Sequence, residues 1–345
     1  MTIYLRIPAL LIVLIWLAVA CAPAQPAAPA KPAEPAKPAA PAPAPAAKPA
    51  EPAKPAQPAE APKPAPAEKP AAQPAAKPAE KPAAAALPKP GEMPAGTYMK
   101  TIQDRGKLVA GVKTDVLLFG YLNPRSNKIE GFDVDMAKEI ARAIFGDPEK
   151  IELKEVTSAA RIPALKEGIV DVVVATMTIT KQRMEEIEFA DVYYESGQQV
   201  LVPKNSPIKS IQDTAGKRVC AAKGSTSERN ISKFQAQATV VQTDKYPECL
   251  LAVQQGRADA ISTDDVILMG LVEQDPNMQI VGDRFTQEPY GIGIAKGRAE
   301  FVQFVNAVLA QAKQSSRWKE IHQKWLGKYV QTPNPPTRTA REAAQ

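Results

Sequence analysis

A short apolar run, Val172 to Ala175, leads into Thr176 and Thr178 and then into Thr180, Lys181 and Arg183. Hydroxyls at the end of a buried strand, followed within one turn of helix by an arginine, are the parts of a carboxylate receptor. The guanidinium fork pairs bidentately with the carboxylate, and nearby hydroxyls and free helix N–H groups complete the shell. Thr180 is the predicted N-cap of that helix. Thr176 and Thr178 fall where open α/β sheets bind ligands, outside the carboxyl ends of the strands. A second copy of the preceding pattern sharpens the reading: Ala164-Leu-x-x-Gly168-x-x-Asp171 reappears as Ala252-Val-x-x-Gly256-x-x-Asp259, and the residue five beyond the aspartate is Thr176 in one copy and Asp264 in the other. If the two units face each other across a cleft, Arg183 and hydroxyls oppose a carboxylate. A zwitterion then fits between them, its α-carboxylate on Arg183 and its ammonium on Asp264. The alternative is two unrelated helix–turn–strand units, which α/β folds reuse freely.

The elements that must position these groups alternate in type, which predicts parallel sheets. Strands are expected at 107–112, 151–156 and 171–176, with helices at 132–145 and 159–167. An extended stretch, 188–202, interrupted by Gly197, is the first expected crossing between lobes. A second lobe follows, with strands near 218–222, 239–244, 259–263 and 278–282 and helices beginning at Thr226, Pro247 and Asp265. Residues 288–295 read as the return crossing, and one long helix, 299–326, should bring Trp318 and Trp325 against the first lobe. Two crossings make a hinge, and hinged lobes enclose small ligands.

Outside the folded part, the chain states its compartment. Arg6, the apolar run Pro8 to Ala20 and the small residues before Cys21 read as an export signal over 1–21. Leu17-Ala-Val-Ala-Cys21 resembles a bacterial lipoprotein signal, which makes Cys21 the lipidated first residue of the mature protein. Residues 22–96 hold 23 of the 35 prolines and almost no large apolar side chain, so they cannot build a core and read as a disordered tether. In extended form such a tether reaches up to roughly 200 Å. Of the formal charge of +6, only about +1 belongs to residues 97–330, and no basic stripe with interleaved aromatics occurs, so a nucleic-acid partner is not expected. Residues 331–345 are read as a disordered tail. Cys220 and Cys249 form an even pair in an oxidising compartment and point to a disulfide between neighbouring elements of one lobe, with two buried thiols as the alternative.

Taken in order, Gly131-Phe-Asp-Val-Asp135, Ala175-Thr-Met-Thr-Ile-Thr-Lys-Gln-Arg183, Tyr193-Tyr-Glu-Ser-Gly197, Lys223-Gly-Ser-Thr-Ser-Glu228, Thr263-Asp-Asp265 and Glu288-Pro-Tyr-Gly-Ile-Gly293 resemble the polar amino-acid-binding proteins of ABC importers, bacterial solute-binding family 3. The resemblance covers about 99–327. It implies an α/β, type II periplasmic-binding-protein fold: two Rossmann-like lobes joined by a two-strand hinge, lobe 1 being 97–197 plus 288–330 and lobe 2 being 198–287. It also implies that the lobes close on a free amino acid and then dock on a membrane permease; a monomer is expected, because the tether has no apolar face to add, and no cofactor or metal is expected. In this family the arginine matching Arg183 holds the α-carboxylate, the aspartate matching Asp264 the ammonium, and Thr178 and Ser225 match further carboxylate-shell positions. Thr157-Ser-Ala-Ala-Arg-Ile-Pro163 resembles the glutamate/aspartate subgroup, which assigns Ser158, Arg161, Lys113 and Tyr246 to the ligand side chain. Two cations around one pocket favour an acidic ligand, glutamate or aspartate. Ala160 and Leu117-Leu118 depart from that subgroup and leave glutamine open as the alternative.

An enzyme on the same scaffold is the competing class. The single histidine, His322, lies in the terminal helix, away from the expected cleft, which disfavours histidine acid–base chemistry and a histidine metal site. Gly224-Ser-Thr-Ser lacks nucleophile-elbow spacing and suits donation to an anion. Asp264 and Asp265 imitate an acidic pair, but adjacent residues leaving a strand point different ways, so only one should face the cleft.

Overall fold

The computed structural model describes residues 86–345; the signal over 1–21, Cys21 and the tether up to 85 lie outside the described residues. The fold begins earlier than the tether boundary at 96 implies. Leu87 packs against the core, Met93 is buried, and the Gly91 N–H donates to the Ile144 carbonyl at 2.8 Å. Two apolar residues and a backbone bond suffice to fasten a segment whose composition is otherwise that of a tether.

Two five-stranded sheets share one plan. In the first, Leu108–Val112 lies between Ile151–Glu155 and Val172–Val173, parallel to both, and Gly293–Ala295 and then Ile187–Phe189 complete the sheet beyond Val172–Val173. In the second, Arg218–Ala222 lies between Thr239–Thr243 and Ala260–Asp264, again parallel, followed by Gln198–Pro203 and Met278–Val281. The internal repeat has a structural meaning here. The Asp171 carboxylate accepts from the Val109 N–H at 2.7 Å, and the Asp259 carboxylate accepts from the Arg218 N–H at 2.8 Å. Each repeat aspartate therefore fastens the parallel strand beside its own, and the chain then runs on to the cleft.

The stretch 188–202 is not one crossing strand but three short ones. Ile187–Phe189 belongs to the first sheet, Tyr194–Ser196 to the hinge and Gln198–Pro203 to the second sheet. The hinge pairs Tyr194–Ser196 with Glu288–Tyr290 antiparallel, Glu288 opposite Ser196 and Tyr290 opposite Tyr194. Cys220 and Cys249 are bonded, joining the strand Arg218–Ala222 to the helix Tyr246–Gln254 within one lobe.

Two expectations near the carboxyl end are corrected. The long helix is broken into Ala299–Gln314 and Arg317–Leu326 by Ser316, whose φ is 65°. The turn lets Trp318 enter the ring cluster with Phe132 and His322 and donate its indole N–H to the Tyr193 carbonyl, while Trp325 donates to Asp135. Residues 331–345 are not a free tail. Val192 N–H donates to the Arg338 carbonyl, Ala340 N–H donates to Asp191, Arg338 pairs with Glu195 of the hinge, and Ala340 is buried at the start of a short helix, Ala340–Ala343. Main-chain bonds to a neighbouring loop carry this docking, which is why it leaves no hydrophobic period in the sequence. Among the described residues, no helix is long and apolar enough to cross a membrane.

Candidate functional site

The cleft between the sheets is lined by the residues that leave the strand ends. Beyond Val173 the chain stays buried through Ile179, and Thr176 takes a positive φ of 44°. Two buried side chains hold this turn. Asp133, in the first turn of the helix Phe132–Phe145, accepts from the Thr176 N–H at 2.8 Å and from the Tyr193 hydroxyl at 2.7 Å. Arg161 donates from Nη1 to the Ala175 carbonyl at 2.8 Å and to the Thr176 carbonyl at 3.4 Å, while its Nε is buried without a partner. Burial pushes the Asp133 carboxyl up to about 7 against the pull of these bonds, and it lowers the Arg161 guanidinium.

Thr180 caps the helix Lys181–Glu186 as expected, its hydroxyl accepting from the Arg183 N–H. This fixes the rotation of the helix and turns Arg183 inward, where it is buried. Its Nη1 donates to the Thr178 carbonyl at 2.7 Å and its Nη2 to the Gly224 carbonyl at 3.3 Å, so one guanidinium touches both lobes. Burial, then the charges of Arg161 and Arg229, hold it well below its ordinary value.

From the second lobe, the helix Thr226–Phe234 points its N-terminus at Arg183. Gly224 takes a φ of 77°, and a Cβ there would stand 2.8 Å from the Ala159 Cα, so the lobes meet at this glycine. Ser225, expected in the carboxylate shell, is buried, and its Oγ accepts from the Glu228 N–H at 3.0 Å and caps the helix. The neighbouring Thr226 hydroxyl donates to Glu288 at 2.8 Å. Thr176 contributes its main chain to the turn. Asp264, at the end of Ala260–Asp264, is buried, with Tyr290 donating to Oδ2 at 2.6 Å and Ser227 to Oδ1 at 3.4 Å. Burial, then the charge of Glu288, pushes its carboxyl up to about 8. Asp265 turns away to the hinge, accepting from the Ser196 hydroxyl and pairing with Arg284, so only one of the adjacent aspartates faces the cleft.

At the far end of the cleft, Lys113 is buried, donates from Nζ to the Ser158 Oγ at 3.0 Å and stands 5.6 Å from the centre of the Tyr246 ring. Burial pushes the ammonium down to about 8, opposed by Asp115. The Tyr246 N–H donates to Asp115 across the cleft at 3.0 Å, Lys245 pairs with Glu155 beside it, and Gly270 approaches the Leu117 carbonyl so closely that a Cβ would lie 3.0 Å from it. The lobes are thus closed on each other. Of the groups expected from sequence, Arg183, Thr178, Asp264, Lys113, Ser158, Arg161 and Tyr246 are gathered here. Asp133, Thr226 and Glu288 were not singled out as site residues. Asp133 stands between Phe132 and Val134, and an acid inside an apolar stretch is the signal that could have found it; Glu288, between Gln287 and Pro289, carries no such signal.

The geometry has counterparts among known proteins. The chain is 47% identical over 229 residues to the ABC transporter glutamine-binding protein GlnH of Bacillus subtilis (strain 168), covering 66% of this chain and 84% of that protein. It is 48% identical over 199 residues to the glutamine-binding protein of Geobacillus stearothermophilus, covering 57% of this chain and 76% of that protein. A solved structure of an ancestral arginine-binding protein bound to glutamine superposes with a TM-score of 0.61 at 37% identity, covering 65% of this chain and 99% of that one. Residues 108–328 match the bacterial extracellular solute-binding proteins, family 3, and the chain belongs to that family.

Proposed function

We propose that this protein captures L-glutamine between its lobes and delivers it to the permease of an ABC importer. The observation that carries the choice is the charge balance of the closed cleft. Three buried cations, Lys113, Arg161 and Arg183, share it with four buried carboxylates, Asp115, Asp133, Asp264 and Glu288. The remaining buried acids, Glu139, Asp171 and Asp265, have arginine partners elsewhere. Counting cations alone favoured an acidic ligand. Counting both signs, with Asp264 ionised against the ligand ammonium and burial pushing the Asp133 carboxyl up to about 7, Asp115, Asp264 and Glu288 already match the three cations; glutamate would add an uncompensated negative charge to a dry site, whereas the glutamine side chain is neutral and its amide both donates and accepts. The glutamine-binding relatives support the same choice.

In this reading Arg183 takes the α-carboxylate with donors left over from its bonds to Thr178 and Gly224, aided by N–H groups at the start of the helix Thr226–Phe234. Asp264 takes the ammonium, which removes the penalty of its burial. Lys113, Ser158, Arg161 and Tyr246 surround the side-chain amide. The motif Leu17-Ala-Val-Ala-Cys21 supports lipid anchoring outside the cytoplasm, with the tether between anchor and lobes.

Calorimetry of the exported protein with glutamine, glutamate and aspartate tests the proposal. Glutamine should bind at least about tenfold more tightly than glutamate, the equivalent of about 1.4 kcal/mol. Tighter binding of glutamate would restore the acidic reading, and no heat with any polar amino acid would end both.

A further inference from the structure

We infer that Glu288 is the clasp that ties amino-acid capture to lobe closure, a role that rests on the amino-acid-binding reading above. Glu288 sits on the hinge strand Glu288–Tyr290 and is buried. Its Oε2 accepts from the Thr178 hydroxyl at 2.7 Å and from the Thr226 hydroxyl at 2.8 Å, and the two hydroxyl oxygens are 3.3 Å apart. Its Oε1 accepts from Asn230 Nδ2 at 3.0 Å and from the Thr286 hydroxyl at 2.8 Å. Thr178 belongs to the first lobe. Thr226 and Asn230 stand one turn apart on one face of the helix Thr226–Phe234 in the second lobe. A single hinge carboxylate therefore holds donors from both lobes at once, which is possible only while that helix lies against Thr178.

The donor arithmetic makes the assignment specific. Each threonine hydroxyl has one proton, and both protons are directed to Oε2. Neither hydroxyl keeps a proton for an arriving α-carboxylate, so Thr178, expected in the carboxylate shell, faces the hinge in the closed form. Hydrogen bonds to an ionised acceptor are stronger than neutral ones, and opening the lobes must break at least the set belonging to one of them. Glu288 touches none of the groups at the far end of the cleft, so its contribution is the same for every amino acid bound. It is a positioning residue, acting through Thr178 and Thr226 on the lobes that carry Arg183 and Asp264.

The variants Glu288→Gln and Thr226→Val, each alone and combined, test this in the exported protein. Glu288→Gln keeps the volume and replaces one acceptor oxygen by a donor; Thr226→Val keeps the shape and removes the second lobe's hydroxyl. Each should weaken every amino acid that the wild type binds by the same factor, roughly 10- to 100-fold. The loss should be in faster dissociation with association unchanged. The double variant should lose little more than Glu288→Gln alone, since both remove one linkage. Small-angle scattering at saturating ligand should show less compaction for Glu288→Gln than for wild type, while the melting temperature of the free protein stays close to wild type. A merely structural role would lower that melting temperature and leave the dissociation rate untouched. Unchanged affinity and dissociation rate in both variants, or a loss confined to one ligand, overturns the clasp. If the wild type binds no amino acid, the binding reading fails by itself, and the clasp is then judged on the free forms: identical scattering for wild type and Glu288→Gln overturns it.

Discussion

Asp264 is a carboxylate kept from water, and its burial sets a pH signature. Its folded value, raised from 3.8 to about 8, means that the closed, ligand-free form is penalised increasingly as pH rises through that interval. Below about pH 4 the group is neutral in both folded and unfolded states and the penalty is absent. Asp264→Asn keeps an oxygen for the Tyr290 hydroxyl and removes the charge. Small-angle scattering should therefore show free Asp264→Asn more compact than free wild type at pH 8, and the difference should vanish towards pH 4. Calorimetric scans are expected to show a glutamine-dependent thermal shift in wild type and none in the variant. Scattering across that range decides the pH dependence; a difference independent of pH would assign the effect to packing rather than charge. Thr176 and Asp264 were legible because each stands five residues beyond a repeat aspartate, and Arg183 because it follows the threonines within one turn of helix. Glu288 was not, because nothing in Glu288-Pro-Tyr290 tells whether the acid faces water or a cluster of donors. The bond from Thr226 to Glu288 was equally hidden: Ser225 and Thr226 are both good caps, and only the rotation of the helix decides which of the two hydroxyls reaches the hinge.

At the scale of elements, local signals were faithful where a polar group has a local partner. Thr180 and Ser225 each cap the helix that follows, and the helix starts at Thr226 and Asp265 are as expected. The break at Ser316 was missed because Gln314-Ser-Ser316 contains neither glycine nor proline, and the left-handed turn is held by the indole of Trp318 finding its place among distant rings. The bridge between Cys220 and Cys249 spans a sequence separation of 29 and closes a loop over the strand and helix that carry one wall of the cleft. A loop of that length limits the unfolded chain enough to contribute about 3 kcal/mol. Replacing both cysteines by serine should lower the chemical-denaturation midpoint accordingly while leaving the order of ligand preference intact. An unchanged midpoint would show that packing of the second sheet, not the bridge, sets the stability of that lobe.

For the whole molecule, the two-lobe plan was readable from alternation of strand and helix, yet both ends of the folded part lay beyond reach of pattern. Leu87 and Met93 are isolated apolar residues in proline-rich chain, and residues 331–345 dock through main-chain bonds and one small buried side chain. Closure itself depends on surfaces that carry no pattern at all, such as Gly270, which lies within the helix Asp265–Gln274 and faces the Leu117 carbonyl across the cleft. A methyl group at this position improves the helix by about 0.5–1 kcal/mol wherever the lobes stand apart. The same methyl must push Leu117 aside when they meet. Gly270→Ala should thus raise the melting temperature of the free protein and weaken glutamine, two readings that a simple loss of folding would move together. Selection for heat resistance would accept the alanine and selection for scavenging a scarce nutrient would reject it, so a single hydrogen atom at 270 marks where durability and uptake pull this protein in opposite directions.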